Sequence, residues 1–224
     1  MTRLLLAFLL GAALLTGCAR VPFRATPPVG MDAVDPRQLL ERQQRELPEQ
    51  FQLLHSVVFD YRWRSMTGIG LVEIDRPAQT FRIVCLNPMG VKLFELSGDA
   101  LRTEAHFVLP PLLEHGGDFA ATIGNDLRRI YFDVTPAADA AFIRRREALL
   151  FRQPFEGGTL EHVFAGAQGD LVEKNWYDAA DDLVWRVSYY EYRTDNGKRS
   201  PQGIVLVNYR HGYRLTVRPK ESAS

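Results

Sequence analysis

The feature that most constrains the fold is an alternation of apolar and polar positions that recurs along most of the chain. In the segment "VVFDYRWR", residues 57–64, apolar side chains occupy every second position from Val57 to Trp63. Successive side chains of a β-strand point to opposite faces of a sheet. The segment therefore predicts a strand with one apolar face and one face in water.

Ten further segments have strand character, and most of the gaps between them are short. They are residues 69–75, 81–86, 91–96, 101–109, 149–154, 159–165, 171–177, 183–192, 203–209 and 213–218. Connections of a few residues join antiparallel neighbours, whereas parallel strands need long crossovers. The eleven segments therefore predict a mainly β (α+β) fold built on one large, curved antiparallel sheet.

Three segments have helical character instead. Asp35 and Pro36 are typical of a helix N-cap and first turn, and Asp118 is placed to cap a second, more apolar helix. Thr135 and Pro136 predict a short third helix that runs to Arg146. We expect the helices to lie across the open side of the sheet.

The first residues, "MTRLLLAFLLGAALLTGC", have the basic start, apolar run and small residues of a secretory signal peptide, residues 1–17. Leu15 to Cys18 resemble the bacterial lipobox, which implies acylation of Cys18 and anchoring to a membrane. An ordinary signal peptide cleaved nearby is the alternative. Residues 18–34 predict a flexible tether. Ala19 after the cysteine implies the outer membrane, with the domain facing the periplasm.

Composition limits the possible partners and the sources of stability. The chain has 27 basic and 27 acidic residues and no basic block, so nucleic acid is not an expected partner. Only Cys85 remains once Cys18 is acylated, so no disulfide is expected.

No pattern in the sequence indicates catalysis or metal binding. The segment "EHGGD", Glu114 to Asp118, is similar to an esterase oxyanion loop, but no G-x-S-x-G nucleophile motif accompanies it. The five histidines lack zinc-ligand spacing, and "DAADD", residues 178–182, lacks the residues of a calcium loop. We therefore expect a protein that is not an enzyme and needs no cofactor.

One segment carries a family resemblance. "TFRIVCLNPMGVKLFELSGD" resembles the strand, turn and strand of the LolB family of outer-membrane lipoprotein receptors. The C-terminal "IVLVNYRHGYRLTVR" is more similar to an uncharacterised family of LolB-like lipoproteins. The resemblance implies an open antiparallel half-barrel over residues 35–218, helices covering its concave side and a tail at 219–224. It also implies a cavity that takes acyl chains of lipoprotein or lipid cargo from a LolA-like carrier.

Met89 lies at the tip of the turn in that segment. Asn87, Pro88, Met89 and Gly90 fit a type I turn. By resemblance to LolB, where this turn carries a protruding apolar residue, Met89 is the expected contact with cargo or membrane. The alternative is that Met89 packs back onto the edge of the sheet.

Aromatic and aliphatic residues on the strands are the candidate cavity lining. They are Phe59, Tyr61, Trp63, Phe81, Ile83, Trp185 and Tyr189. The same residues would also serve an ordinary β core. Two classes of function therefore remain open: a lipid-binding acceptor, or a non-catalytic structural lipoprotein with a filled half-barrel that binds a protein partner.

Overall fold

The computed structural model describes residues 21–113 and 118–220 of the chain. A single antiparallel sheet of twelve strands forms most of it. Its strands are β1 (Gln50–Tyr61), β2 (Arg64–Asp75), β3 (Thr80–Leu86), β4 (Lys92–Gly98), β5 (Thr103–Val108), β6 (Ala141–Arg145), β7 (Ala148–Phe155), β8 (Gly158–Ala165), β9 (Asp170–Tyr177), β10 (Leu183–Tyr190), β13 (Gly203–Asn208) and β14 (Tyr213–Pro219). Two short strands, β11 (Arg193–Asp195) and β12 (Lys198–Ser200), form a separate hairpin.

The sheet consists of two meanders joined by the last strand. The order is β5-β4-β3-β2-β1-β14-β13-β10-β9-β8-β7-β6. Because β14 pairs with β1, the C-terminal meander continues the N-terminal one. The edge strands β5 and β6 do not pair with each other, so the curved sheet stays open. This confirms the predicted open antiparallel half-barrel.

The inner face of the sheet follows the predicted alternation. On β1, Phe51, Leu53, His55 and Phe59 face inward. Phe59 lies opposite Leu215 of β14, and its ring is 5.3 Å from that of Tyr213. The strand begins at Gln50, seven residues before the predicted start, because the same alternation already holds there.

In the described part of the chain, two α-helices accompany the sheet, α1 (Pro36–Glu46) and α2 (Phe119–Tyr131), together with a short 3₁₀ turn (Pro110–Leu112). The Asp118 carboxylate caps α2 by accepting a hydrogen bond from the Ala121 amide at 2.8 Å. Leu127, Ile130 and Tyr131 are buried between α2 and the concave face. The helix therefore covers part of the half-barrel, as expected.

Side chains from three strands or strand ends bind the C-terminal carbonyl groups of α2. The Tyr189 hydroxyl donates to the Ile130 carbonyl at 2.7 Å, and Arg76 Nε donates to the Tyr131 carbonyl at 2.9 Å. Lys174 Nζ donates to the Phe132 carbonyl at 2.5 Å. These groups satisfy carbonyls that have no partner within the helix, and the Arg76 cation complements the negative end of its dipole.

The predicted third helix, residues 135–146, is wrong. Residues 141–145 form strand β6, which pairs along its length with β7. The ring of Phe142 lies 5.3 Å from that of Phe151 on β7. Pairing with β7 gives this segment its backbone hydrogen bonds, which local helix signals cannot offset.

Residues 21–34, which we call the N-terminal strap, pack against the domain instead of forming the predicted flexible tether. The Phe23 ring stacks on Tyr190 at 5.4 Å, and the Arg218 guanidinium lies 4.9 Å from the Phe23 ring centre. Met31 is 1% exposed, and its amide donates to the Arg146 carbonyl at 2.8 Å. Composition alone missed these two apolar anchors. The folded domain thus begins before Asp35.

Helix α1 follows the strap and begins where the sequence predicts. The Asp35 carboxylate accepts hydrogen bonds from the amides of Arg37 and Gln38, at 2.8 and 3.0 Å. Gln43 Nε2 donates to the Gly169 carbonyl at 2.9 Å, in the turn between β8 and β9. The helix is thereby fixed at one end of the half-barrel, where it borders the principal cavity.

Candidate ligand cavity

The principal cavity has a volume of about 770 Å³ and lies between α1, the β11–β12 hairpin and the concave face. Its floor is built from buried side chains on β1, α2, β9, β10 and β13. The floor residues are His55, Ile130, Tyr131, Leu171, Tyr189 and Ile204. Phe51, Leu53 and Tyr192 extend this surface towards solvent. A cavity of this size is in the range of small-ligand pockets, about 300–1,000 Å³.

The polar groups of the floor are paired and uncharged. Tyr192 donates its hydroxyl to the Leu171 carbonyl at 2.7 Å, and the Tyr189 hydroxyl is held by α2 as described above. Burial lowers the pKa of His55 to about 4, so its imidazole is neutral at pH 7. The floor therefore offers a ligand an aromatic and aliphatic surface without charge.

The outer part of the cavity, its mouth, has a different character. Five of the lining residues are basic and one, Asp195, is acidic. The basic ones are Arg76, Arg193, Lys198, Arg199 and Lys220. All except Arg76 and Arg199 are exposed, and these two are partly buried. The charge of the mouth thus contrasts with the balanced charge of the whole chain.

A second cavity of about 310 Å³ lies at the C-terminal end of α2. Trp185, Leu160 and Phe155 line it together with the buried Lys174. Burial lowers the pKa of the Lys174 amine to about 7. Lys174 and His162 hold the backbone carbonyls of Phe132 and Asp133, at 2.5 and 2.7 Å. These bonds fix the helix end and give the buried amine of Lys174 a structural role.

The structure distributes the predicted lining residues over several places. Tyr189 lines the principal cavity, Trp185 the second one, and Phe81 a shallow groove. Phe59 and Ile83 belong to the hydrophobic core. Tyr61, at the end of β1, is exposed and lies beneath the Arg62 guanidinium, 5.2 Å from the ring centre.

The prediction that Trp63 lines a cavity is wrong. Strand β1 ends at Tyr61 and β2 begins at Arg64, so Trp63 lies in the connecting turn. Its side chain is 81% exposed. The alternation that suggested an inward position stops two residues earlier.

Sequence reasoning missed most of the residues that do line the principal cavity. Phe51, Leu53 and His55 continue the inward phase of β1 and could have been found by extending the alternation backwards. Tyr131 belongs to the apolar stripe of α2. Arg76 follows β2 directly, and no pattern in the sequence indicates its inward position.

The turn at Met89 has the predicted geometry. The Gly90 amide donates to the Asn87 carbonyl at 2.9 Å, and Gly90 adopts φ +85°, which glycine allows. Asn87 Oδ1 accepts hydrogen bonds from the amides of Met89 and Val91, both at 2.9 Å. The Met89 side chain is 85% exposed and makes no packing with the sheet edge. Its role as a contact residue stays a prediction.

Met89 is remote from the cavity mouth along the strands. Arg76 follows the end of β2, whereas Met89 follows the opposite end of the adjacent β3. Seven residues of strand at 3.3 Å each separate the two positions by roughly 23 Å. One ligand headgroup therefore cannot contact both residues in this conformation.

Several predictions fall outside the described residues. Cys18, the signal peptide and residues 114–117 of the "EHGGD" segment are among these. Within residues 21–113 and 118–220, no three His, Cys, Asp or Glu side chains are placed to bind a metal ion. No helix in this part of the chain has the length and apolar character needed to span a membrane.

Comparison with known proteins identifies the family and the fold. The family model described as "Protein of unknown function (DUF3261)" matches residues 52–221. A comparison with curated proteins finds no match.

Solved structures with the same fold are distant in sequence. A LolA superfamily protein from Nitrosomonas europaea, NE2245, has a TM-score of 0.54 at 11% identity, covering 84% of this chain and 93% of its own. A putative outer membrane lipoprotein-sorting protein domain from Vibrio parahaemolyticus has a TM-score of 0.53 at 9% identity, covering 81% and 88%. A DUF1329 family protein from Desulfovibrio piger has a TM-score of 0.52 at 8% identity, covering 82% and 89%. At these identities the likeness establishes a shared half-barrel.

Proposed function

The chain belongs to the DUF3261 family and has the half-barrel of the LolA superfamily, and on this basis we propose that its principal cavity binds an acyl chain of lipid or lipoprotein cargo. The protein acts as a non-catalytic acceptor or carrier at the cell envelope, anchored to the outer membrane through acylated Cys18. A LolA-like carrier is the proposed source of the cargo. The fold and the cavity support this assignment, and the anchor rests on the lipobox resemblance.

The observation that carries the proposal is the unfilled space on the concave face. Helix α2 packs against the sheet, yet a volume of about 770 Å³ with an aromatic and aliphatic floor remains beside it. An acyl chain gains about 0.8 kcal/mol for each methylene that it buries. The alternative of a structural lipoprotein requires a half-barrel packed solid by its helices, and the open cavity argues against it.

A pair of adjacent residues on β1 provides the test. Leu53 faces the cavity, whereas Leu54 faces outward on the same strand. Leu53→Trp adds a bulky ring to the cavity, and Leu54→Trp adds the same ring outside it. We expect Leu53→Trp to reduce binding of a neutral fluorescent apolar probe, N-phenyl-1-naphthylamine, at least tenfold. Leu54→Trp should bind as the wild type does.

The measurement is fluorescence titration of the mature chain carrying Cys18→Ser, with melting curves of all variants recorded in parallel. Dodecanoate and dodecanol serve as competitors that displace the probe. Equal probe binding by the two Trp variants, with both proteins folded, would mean that the principal cavity is not the binding site. If neither competitor displaced the probe from the wild type, the acyl-chain assignment would be wrong.

A further inference from the structure

The mouth of the principal cavity carries a concentration of positive charge that a purely apolar ligand does not need. Among the residues that the structure describes, five basic side chains and one acidic side chain, Asp195, line the cavity, in a chain with 27 basic and 27 acidic residues. Charge of one sign at the rim of a low-dielectric cavity attracts ligands of the opposite sign. The excess of positive charge at the mouth therefore favours a ligand with a negatively charged headgroup.

Arg76 is the innermost of these cations. Its Nε and Nη1 atoms donate to the carbonyl groups of Tyr131 and Pro48. Its guanidinium also lies 4.9 Å from the centre of the Phe51 ring in the cavity wall. No carboxylate in the described part of the chain forms an ion pair with Arg76. The bonds to carbonyls orient the guanidinium without neutralising its charge.

The neighbouring cations of the mouth differ in how they are paired. Arg199 forms a two-point ion pair with Asp170, at 2.5 and 2.9 Å, and is neutralised. Lys198 Nζ donates to the backbone carbonyls of Arg45 and Leu47, at 2.9 and 3.2 Å, near the C-terminal end of α1. Like Arg76, Lys198 is held by carbonyls and not by a carboxylate. Within residues 21–113 and 118–220, Arg76 and Lys198 are thus oriented cations without a carboxylate partner.

From this arrangement we infer that the cavity binds a single-chain amphiphile with an anionic headgroup, either a carboxylate or a phosphate monoester. The chain lies on the apolar floor, and the headgroup lies at the mouth beside Arg76 and Lys198. This inference rests on the acyl-chain function proposed above and adds the charge of the ligand to it.

Hydrogen-bond strength and desolvation both favour binding of an anionic headgroup over a neutral one. A guanidinium with a free edge can donate charge-assisted hydrogen bonds to a carboxylate or phosphate oxygen, and these are stronger than bonds to a hydroxyl group. Arg76 is already partly desolvated, so it loses little further hydration when the headgroup arrives. Hydrogen bonds to charged groups contribute enough to change affinity roughly tenfold to a hundredfold.

A set of ligands with one chain length separates the headgroup from the chain. Dodecanoate, dodecyl phosphate and dodecanol carry a carboxylate, a phosphate monoester and a hydroxyl group on the same alkyl chain. We expect isothermal titration calorimetry on the mature Cys18→Ser chain to show at least tenfold tighter binding of one or both anions than of dodecanol. The ratio between the two anions identifies which headgroup the site prefers.

The variant Arg76→Gln tests the residue. It should bring the anion-to-dodecanol affinity ratio to within about threefold of unity while dodecanol binding itself changes little. Arg76→Lys should retain part of the preference, because it keeps the charge. Arg210→Gln is the matched control, since Arg210 is exposed and pairs with Asp178 outside the cavity. It should leave the ratio unchanged.

The ligand comparison distinguishes failure of the anionic-headgroup inference from failure of the acyl-chain function. Equal affinity of wild type for all three ligands would overturn the anionic-headgroup inference and leave the acyl-chain function standing. Failure of all three to bind would overturn both. An Arg76→Gln protein that loses anion and dodecanol binding in proportion, or keeps the full preference, would show that Arg76 does not recognise the headgroup. Because affinity ratios are compared, partial unfolding of Arg76→Gln cannot imitate the expected result.

Discussion

The exposure of Met89 follows from the hydrogen bonding of its turn. Asn87 and Gly90 close the turn through three hydrogen bonds, so the fold does not depend on the side chain at position 89. Met89→Glu should therefore melt within about 1 °C of wild type, as surface substitutions usually do. A methionine in this position is a flexible apolar group suited to contact acyl chains.

If Met89 contacts cargo or membrane, Met89→Glu should also lose function. Met89→Glu should fail to receive lipoprotein from a LolA-like carrier, because a carboxylate loses its hydration on entering acyl chains. Met89→Leu, which stays apolar, should retain transfer. The measurement pairs thermal melting with transfer of a fluorescent lipoprotein. Normal transfer by a normally melting Met89→Glu protein would refute the role.

At the residue scale, the sequence predicted the face of the sheet to which a side chain points better than it predicted where a strand ends. Tyr189 and Phe59 have the inward orientation that alternation implied, since side-chain direction in a strand is local. Trp63 was misplaced because alternation cannot show where a strand ends and its turn begins. Arg76 was missed because its importance depends on the carbonyl of Tyr131, which is distant in sequence and near only after folding.

Among the elements, α2 depends on close contact with an edge strand. A Cβ atom added at Gly124 would lie 1.9 Å from Thr103 Oγ1 on β5 and 3.0 Å from Thr103 Cβ. We therefore expect Gly124→Ala to lower the free energy of unfolding by about 1–3 kcal/mol through overpacking. This loss should occur although alanine favours helices by about 1 kcal/mol over glycine.

Three further variants test whether the loss comes from the contact between Gly124 and Thr103. Asn125→Ala, at the next and exposed position of α2, should change stability by no more than about 0.5 kcal/mol. Adding Thr103→Ala to Gly124→Ala should recover part of the loss, because it removes the atom nearest to the new methyl group. Urea unfolding compares the wild type with Gly124→Ala, Asn125→Ala, Thr103→Ala alone and the Thr103→Ala/Gly124→Ala double variant. Strictly additive effects of the two substitutions would show that they do not share a contact.

The elements that could be predicted are those whose pairing is local. The strands joined by short turns and the N-caps of α1 and α2 appear where the sequence places them. The conformation of a turn or a cap is determined by residues adjacent in sequence. Strand β6 was mistaken for a helix, since its structure is imposed by pairing with β7. The β11–β12 hairpin was not separated from its surroundings because three-residue strands are too short to show a period.

For the whole molecule, the strand pattern predicted one curved antiparallel sheet and the resemblance to LolB implied a half-barrel, but the space inside it could not be read from the sequence. Alternation fixes which residues face inward and leaves open whether they fill the interior or line it. The answer depends on how α1, α2 and the hairpin are spaced across the concave face. The volume of about 770 Å³ between them is a property of that arrangement alone.

The N-terminal strap links the membrane anchor predicted at Cys18 to the stability of the domain. Phe23 fits against Gly203 so closely that a Cβ atom on that glycine would lie 2.4 Å from the Phe23 ring. Thr26 of the strap lies against Gly166 in the turn between β8 and β9. Met31 donates its amide to Arg146 in the turn between β6 and β7. The strap therefore holds turns of the C-terminal meander in place.

We expect Phe23→Ala to lower the free energy of unfolding by about 3 kcal/mol, because a nearly buried aromatic ring is removed and a gap is left over Gly203. Val29→Ala, in the exposed part of the same strap, should change it by less than about 0.5 kcal/mol. A chain that begins at Asp35 loses both Phe23 and Met31 and should be less stable than either variant. Urea unfolding of the mature Cys18→Ser chain and of these three proteins gives the comparison. Equal midpoints for the mature Cys18→Ser chain and the chain that begins at Asp35 would mean that the strap contacts contribute no stability and that residues up to 34 act only as a connection to the membrane.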